Sequence, residues 1–493
     1  MSFCTGVLAA ALLSVGAAWC QAPVNVIFLE PVGVVNTDGA EVSGHPLEYR
    51  RVQNAGRYTA WTKNDYATRA FRLYRMAYDL ARPGSGTPDY YIALVKGGNH
   101  ASVGFRLHEN GKKKELPNQP YILLDDDPSR FDVTLLHETG HMAMALLAGG
   151  RPMEGETMTG IPHSTASLSD RNTAYSEGYA IHLEALQAHV SRDPKVRQRF
   201  HREEVLFGDG PAKKSEYYRA SADLATYSQS LARYLEVREN NYSFESAFQG
   251  PDYLRVQLDK ARDFATVRDA NQLLQSEGYY ASFFFLWVVR GKGVPDDKVL
   301  DEREGQVMRA MQAAFQAAGY THQEPWLPLF VREYMKLYPA EKQTMVDALN
   351  DTSHGVFVDP AAAALWKEHY LASLRLDLKK MDPAQIDAAR QHWRELVLAD
   401  PDVLLSRIGP QVYCEVIGGP KLKLEAFPES LRVEFDANTV QSGIMRLIPG
   451  INEDEIAKWL AERARKPFTG GDDFRARGIL SDAPFKALSF TRW

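Results

Sequence analysis

The chain has 493 residues, 45% hydrophobic and 24% charged, a composition ordinary for a globular protein and a length that suggests two to four domains. Its net charge of -6 argues against broad nucleic-acid binding by the whole chain, though not against a local basic site. With three cysteines, Cys4, Cys20 and Cys414, a disulfide framework and a cysteine-based metal site are both excluded, and isolated thiols are expected.

In chain order, Val7 to Ala18 is a run of small and apolar residues. It is long enough for the hydrophobic part of an export signal and too short to span a membrane. Residues 1–20 are therefore read as a signal peptide, with a cut near Ala17 or Ala18, and the protein as secreted or periplasmic. No Lys or Arg precedes the run. Cys20 raises a lipoprotein as the lesser option, against the poor fit of Ala17 and Trp19. No transmembrane segment is expected in the mature chain. Asn25 to Leu29 alternates as a short strand, and residues 36–58 read as loop. Trp61 to Ala81 is an amphipathic helix, with Ala67, Ala70, Phe71, Leu73, Tyr74, Ala77 and Leu80 near helical spacing, stopped by Pro83-Gly84-Ser85-Gly86. Strands follow at Tyr90–Val95, Ser102–Leu107 and Pro120–Leu124, with a hairpin tip at Glu109-Asn110-Gly111 and the three lysines after it. Asp127 is a good N-cap and Pro128 suits the first position of a helix that Gly149-Gly150 ends.

That helix carries His137-Glu138-Thr139-Gly140-His141. Residues four apart share a helical face, so His137 and His141 can offer two imidazoles to one metal ion. Glu138 stands beside them, placed to take a proton from an activated water. With 13 histidines in the chain, about 0.02 accidental matches to this pattern are expected, so it carries weight. Glu177 lies 36 positions beyond His141 on a second helix, residues 172–190, which Asp170 caps. The intervening loop lets this helix return to face the first, with Glu177 as third ligand.

The order helix, strands, His-bearing helix resembles the N-terminal subdomain of the zincin metallopeptidases. The Glu-Gly-x-Ala pattern at Glu177–Ala180 resembles their gluzincin branch, and the likeness covers residues 120–190. The other zincin branch, the metzincins, needs a Gly and a third His where this chain has Met144 and Leu147. The resemblance implies a Zn2+ cofactor held by His137, His141 and Glu177, with Glu138 as general base. It implies that Tyr121–Leu124 is an edge strand holding extended substrate by backbone pairing. It also implies a Tyr or His that stabilises the oxyanion; Tyr279, Tyr280, His163 and Tyr175 are candidates, and Tyr280 is preferred. Asp170 and Glu184 are candidates to orient the imidazoles, a solvent-facing side chain being the default for Glu184. His182, five positions from Glu177, points elsewhere. Glu277 heads a strongly apolar helix, Ser276–Trp287, whose first letters repeat Ser176–Tyr179. Its distance in sequence from His141 makes it a poor ligand.

Helices are further expected at Lys213–Arg238, Gln257–Gln275, Glu302–Ala318, Pro325–Tyr338, Pro360–Leu378 and Pro383–Leu398. No repeat of solenoid period emerges. Beyond residue 410, strands at Gln411–Ile417 and Leu431–Phe435 lead to a helix opened by Asp436-Ala437-Asn438-Thr439, a hairpin at Ile448-Pro449-Gly450-Ile451 and a helix Glu453–Ala464. This stretch resembles the helix-hairpin-helix module of competence DNA-uptake proteins and of the type II secretion pseudopilin K. Glu453, Asp454 and Glu455 crowd the helix start where phosphate would bind, although Lys458, Arg463, Arg465 and Lys466 follow. Docking on protein, or packing, is therefore preferred to DNA binding for residues 411–493.

The expected fold is α+β. A zincin-like catalytic region, 21–200, combines a small mixed sheet with the active-site helix. A mostly helical region, 201–410, completes the cleft, and a small strand plus helix-hairpin-helix domain, 411–493, ends the chain. The expected function is zinc-dependent hydrolysis of peptide bonds in a peptide or protein substrate. Two other readings are a zinc hydrolase of non-protein amide bonds, such as those of cell-wall peptides, and an idle zincin-fold binding or scaffold protein. The intact Glu138 argues against the last, since a scaffold needs no base.

Overall fold

The structure is a computed structural model that describes residues 24–32, 47–59, 61–127 save 97, 131–150, 171–191, 270–290, 296–319, 326–365 with short breaks, 382–408 and, with breaks, 413–492. The signal segment, the helices expected over 213–238 and 257–269, nearly all of 360–378, residues 439–444 and 446–449, Pro128, His163 and Asp170 lie outside the described residues. The chain divides into two compact units. The first comprises Met1–Pro152, Val190–Arg192 and Val288–Phe315; the second comprises Met153–His189, Asp193–Trp287 and Gln316–Trp493.

The first unit is built on a closed five-stranded barrel. Its strands are β1 (Asn25–Pro31), β2 (Leu47–Arg51), β3 (Asp89–Leu94), β4 (Asn99–Glu109) and β5 (Lys112–Leu124), in the order β1-β2-β4-β5-β3. Alternate residues point inward. Ile27, Leu29, Tyr49, Tyr91, Ala93, Phe105, Leu107, Tyr121 and Leu123 form the interior. Phe105 sits at its centre, with ring centroids 4.9 Å from Tyr121, 5.1 Å from Tyr91 and 5.9 Å from Tyr49. The hairpin tip is where the Asn-Gly pair predicts it. Asn110 and Gly111 take φ of 51° and 72°, the signature of a two-residue type I′ turn.

Three expectations change here. Leu47–Arg51 is not loop but β2, paired antiparallel with β1 and parallel with β4. The three lysines are not in the tip but on β5, which starts eight residues before Pro120. The polar run Lys112–Gln119 shows no apolar alternation, and Pro117 argues against a strand. It is accommodated by a register shift at Gly104, whose φ is +87° and whose added Cβ would meet the Pro117 carbonyl oxygen at 2.8 Å. Finally, Tyr121–Leu124 is not an edge. It pairs parallel with β3 (Tyr91↔Tyr121 to Leu94↔Leu124) and antiparallel with β4 (Ser102↔Tyr121 to Asn99↔Leu124). Lying between β3 and β4, this stretch has backbone partners on both sides and cannot receive a substrate strand.

A four-residue helix α1 (Gly56–Thr59) and a 3₁₀ turn at Trp61–Lys63 precede α2 (Asp65–Ala81), so the regular helix begins four residues later than its periodicity suggests. Asn64 caps it, its side chain accepting from the Ala67 N–H at 2.7 Å. The apolar face Ala67, Ala70, Leu73, Tyr74 and Ala77 is buried, as expected from spacing. Arg69 is buried too, donating to Asp297 at 2.9 Å on a later helix of the same unit. α3 (Phe131–Leu147) carries the two histidines.

The described helices of the second unit are α4 (Arg171–Val190), α5 (Ala270–Leu274) and α6 (Glu277–Val289), whose last two residues belong to the first unit. Then α7 (Asp297–Ala317) returns to the first unit for most of its length. α8 (Trp326–Leu337), α9 (Lys342–Ser353) and α10 (Pro383–Ala399) complete the helical part of the second. α9 was not expected from the sequence. α10 starts as predicted for Pro at the first turn, with Asp382 accepting from the Gln385 N–H. An aromatic chain runs through this core. Tyr179 packs on Phe284 (5.4 Å), Phe284 on Phe330 (5.5 Å) and Trp287 on Tyr334 (5.0 Å).

Near the C-terminus, β6 (Tyr413–Cys414), β7 (Leu422–Leu424), β8 (Leu431–Asp436) and β9 (Leu488–Arg492) form one sheet in that order, β9 parallel to β8. β7 and β9 were not expected. Asp436 ends β8 instead of opening a helix. α11 (Glu453–Arg465) has a full capping box between Asn452 and Glu455. Short helices α12 (Gly471–Ala476) and α13 (Asp482–Lys486) follow. Phe474 packs on Trp459 (4.6 Å) and Phe468 (4.8 Å). Arg477 donates to Asp473 at 2.6 Å and to the Lys466 carbonyl at 2.7 Å and lies over Phe468, while Lys458 donates to the Gly478 carbonyl. Among the described residues no helix is long and apolar enough to cross a membrane.

Candidate metal centre

α3 is apolar on nearly every side. Leu135, Leu136, Met142, Met144 and Leu146 are all buried, so the helix is a core element and its few polar groups stand out. Gly149 and Gly150 end it with φ of 83° and 77°. Gly150 donates to the Ala145 carbonyl at 2.8 Å, and a Cβ on it would meet the Asn118 oxygen at 2.8 Å. Both conformation and space at this position require glycine.

One helical turn sets His137 and His141 together. Their Nε2 atoms are 3.3 Å apart, with ring planes at 71°. Two nitrogens about 2.0–2.1 Å from one zinc at the tetrahedral angle are separated by about 3.3–3.4 Å. The separation of the two imidazole nitrogens is thus compatible with one shared zinc. One ligand atom from each of His137, His141 and Glu177 lies within 4.8 Å of the others. Two neutral imidazoles and a carboxylate are a donor set suited to zinc, and leave a coordination position open. Glu138, the candidate base, is 5% exposed.

Thr139 and Tyr90 fix the height of α3 over β3, a role the sequence reading missed. Thr139 Oγ1 donates to the Leu135 carbonyl at 2.6 Å and receives the Tyr90 hydroxyl at 2.6 Å, both side chains fully buried. The phenol belongs to a strand residue 49 positions away, and only its length and its hydroxyl mark it in the sequence. Thr139→Val keeps the shape and leaves the Tyr90 hydroxyl unpaired. It is expected to cost about 1–3 kcal/mol. Urea unfolding of the Thr139→Val, Tyr90→Phe and double variants checks this; the double variant is expected to recover part of the loss.

Glu177 stands on α4, half-buried. Next to it Gly178 is the closest approach to α6. A Cβ there would sit well inside van der Waals contact with the Glu277 carbonyl oxygen and the Tyr280 Cβ. The repeated letters Ser176–Tyr179 and Ser276–Tyr279 thus mark two helices that pack together. Glu277 itself is 1% exposed and does not join the ligand grouping among the described residues.

Tyr280, Tyr279 and Tyr175 are all fully buried. Tyr280 packs against Tyr175 with ring centroids 5.1 Å apart, and burial pushes its phenol far up, so it holds its proton as a donor. His182 is fully buried between Tyr179 and Phe284, and one ring nitrogen is bonded to the Tyr179 carbonyl; it is a core residue. Glu184 is 5% exposed, which overturns the solvent-facing expectation. α4 is buried along nearly all of its described length, so no side of it offers a polar residue open water. No protein-family model, curated protein or solved structure matches this chain.

Proposed function

We propose that the protein is a zinc-dependent peptidase of the gluzincin kind, with His137, His141 and Glu177 as ligands and Glu138 as general base. The observation that carries this reading is the grouping of those three ligand atoms within 4.8 Å, with the two imidazole nitrogens at a tetrahedral edge length. A zinc ion held there would polarise the substrate carbonyl and acidify a water. Glu138 takes the proton of the attacking water and passes it to the leaving amine. Its burial on the helix turn that follows His137 limits its contact with bulk solvent. Tyr280 enters as a protonated phenol and therefore as a donor, not as a base.

The closed barrel changes how substrate is held. With Tyr121–Leu124 paired on both sides, contacts from side chains replace strand addition. The N-terminal apolar run supports action outside the cytoplasm. For residues 411–493 we favour a protein-docking or packing role, since Lys458 donates to the Gly478 carbonyl and Arg477 to the Asp473 carboxylate and the Lys466 carbonyl, all within the module itself.

The purified chain is expected to hold one zinc, lost to a chelator together with peptide hydrolysis, and restored with it. Glu177→Ala is expected to weaken zinc binding by more than about 100-fold, above the loss that removal of an outer-shell partner brings. Competition with a zinc-sensitive dye measures it. Full zinc affinity in Glu177→Ala would refute the third ligand. One zinc per chain without cleavage of any peptide bond would refute the peptidase.

A further inference from the structure

Within the first unit, α2 and α7 meet through two arginines and three carboxylates. Arg69 and Arg72 share a face of α2, and Asp297, Asp301 and Glu304 share a face of α7. Further along, Gln312 of α7 donates to the Leu80 carbonyl of α2 at 3.2 Å. Asp297 takes the good ionic contact. It receives the Arg69 guanidinium at 2.9 Å, keeps 33% exposure and stands in the first turn of α7, where the helix dipole favours a negative charge. Asp301 takes the poor one. Its oxygens lie 3.5 Å from Arg72 and 3.9 Å from Arg69, beyond good hydrogen-bond range, and its side chain is 12% exposed. Asp297 and Glu304 flank it one helical turn away on either side, and Glu304 is fully buried.

A carboxylate in that place has little to keep it charged. Water is scarce, no donor reaches it closely, and two like charges lie beside it. Burial raises its carboxyl above the usual carboxylate range; Arg72 and Arg69 oppose the rise, and Asp297 and Glu304 add to it. Those four are the charged groups that face Asp301, two from α2 and two from its own helix. We propose that Asp301 is the proton-holding member of this cluster, and that α7 is held on α2 by a latch that acid strengthens. A carboxyl raised in the folded state contributes stability that is full below the ordinary aspartate value of about 3.9 and lost as pH rises through the raised value. The latch therefore tightens on acidification, opposite in sense to an ordinary salt bridge. With Asp301 protonated, Asp297 and Glu304 stand against Arg69 and Arg72, and the charges balance. Neither zinc nor hydrolysis enters the proposal, so it stands apart from the peptidase reading.

The test is hydrogen exchange of the α7 amides in the full chain, followed by mass spectrometry from pH 4.5 to 8 and corrected for the chemical exchange rate. Asp301→Asn imitates the protonated side chain. It is expected to slow α7 exchange by about threefold or more at pH 8, with the gap to the parent closing toward pH 4.5. Asp297→Asn gives up the 2.9 Å ion pair and is expected to speed exchange at pH 8. Faster exchange, or failure to fold, in Asp301→Asn at pH 8 would show an ordinary salt bridge and overturn the proposal. An unchanged rate, or a slowing of equal size at both ends of the pH range, would overturn it too, because no proton would then be involved. Slower exchange in Asp297→Asn would place the proton on Asp297 and sink the assignment to Asp301.

Discussion

Glu138→Gln is expected to lower peptide hydrolysis by about 10²–10⁴-fold, the range a positioned general base supplies, with zinc content and folding unchanged. The amide has the shape of the carboxylate and still fits the buried turn between His137 and Thr139, but cannot accept the proton of the attacking water. Glu138 is 5% exposed, so bulk water has little access to replace it. The comparison is kcat on one unfolded protein substrate for parent and variant, each with zinc measured in the same preparation. Activity within tenfold of the parent would remove Glu138 from the mechanism. Loss of zinc in the variant would show instead that Glu138 shapes the ligand site. The Tyr90–Thr139 hydrogen bond on the following residue makes the second outcome less expected, because it holds the turn whatever occupies position 138.

Gly178→Ala is expected to destabilise the protein by about 1–3 kcal/mol, and Gly178→Leu by more. On an open helix, Gly to Ala stabilises by up to about 1 kcal/mol through backbone entropy and helix propensity. At Gly178 that gain is outweighed. The new Cβ would overlap the Glu277 carbonyl oxygen and the Tyr280 Cβ, main-chain-fixed atoms of α6 that cannot turn aside. The two helices must separate, and Glu177 moves with its neighbour, so zinc affinity is expected to fall as stability does. Gly305 on α7 is the control: a Cβ there meets nothing within 4 Å, and Gly305→Ala is expected to stabilise. Opposite signs at the two positions, read by urea unfolding with parallel zinc titration, separate close packing from propensity. A stabilised Gly178→Ala would mean that α4 and α6 are not in contact at this residue.

What could be read from the chain alone was whatever a single turn or hairpin decides. His137 and His141 share a face because they are four apart on a helix, and their nitrogens do come together at 3.3 Å. Asn110-Gly111 makes its turn because both residues tolerate positive φ. Asp382 and Pro383 open α10 because cap and first position act within one turn. Apolar spacing was enough to find the buried face of α2.

What escaped the sequence depends on partners far along the chain. Leu47–Arg51 carries Glu and three Arg or Tyr side chains without a strand signal, and becomes β2 only because β1 and β4 bracket it. Lys112–Gln119 is polar and interrupted by proline, and its strand exists because β4 pairs along it, with the bulge at Gly104 absorbing Pro117. Pairing with β3 on one side and β4 on the other makes the expected substrate edge at Tyr121–Leu124 an interior strand. Glu184 and the Tyr90–Thr139 bond belong to this class too, since burial of a carboxylate and the acceptor of a phenol are set by whichever element arrives from elsewhere. Spacing and capping energies act within a few residues and are written into a short window. Strand neighbours, burial and the packing of α4 on α6 at Gly178 are set by long-range contacts, whose energies no window of sequence contains.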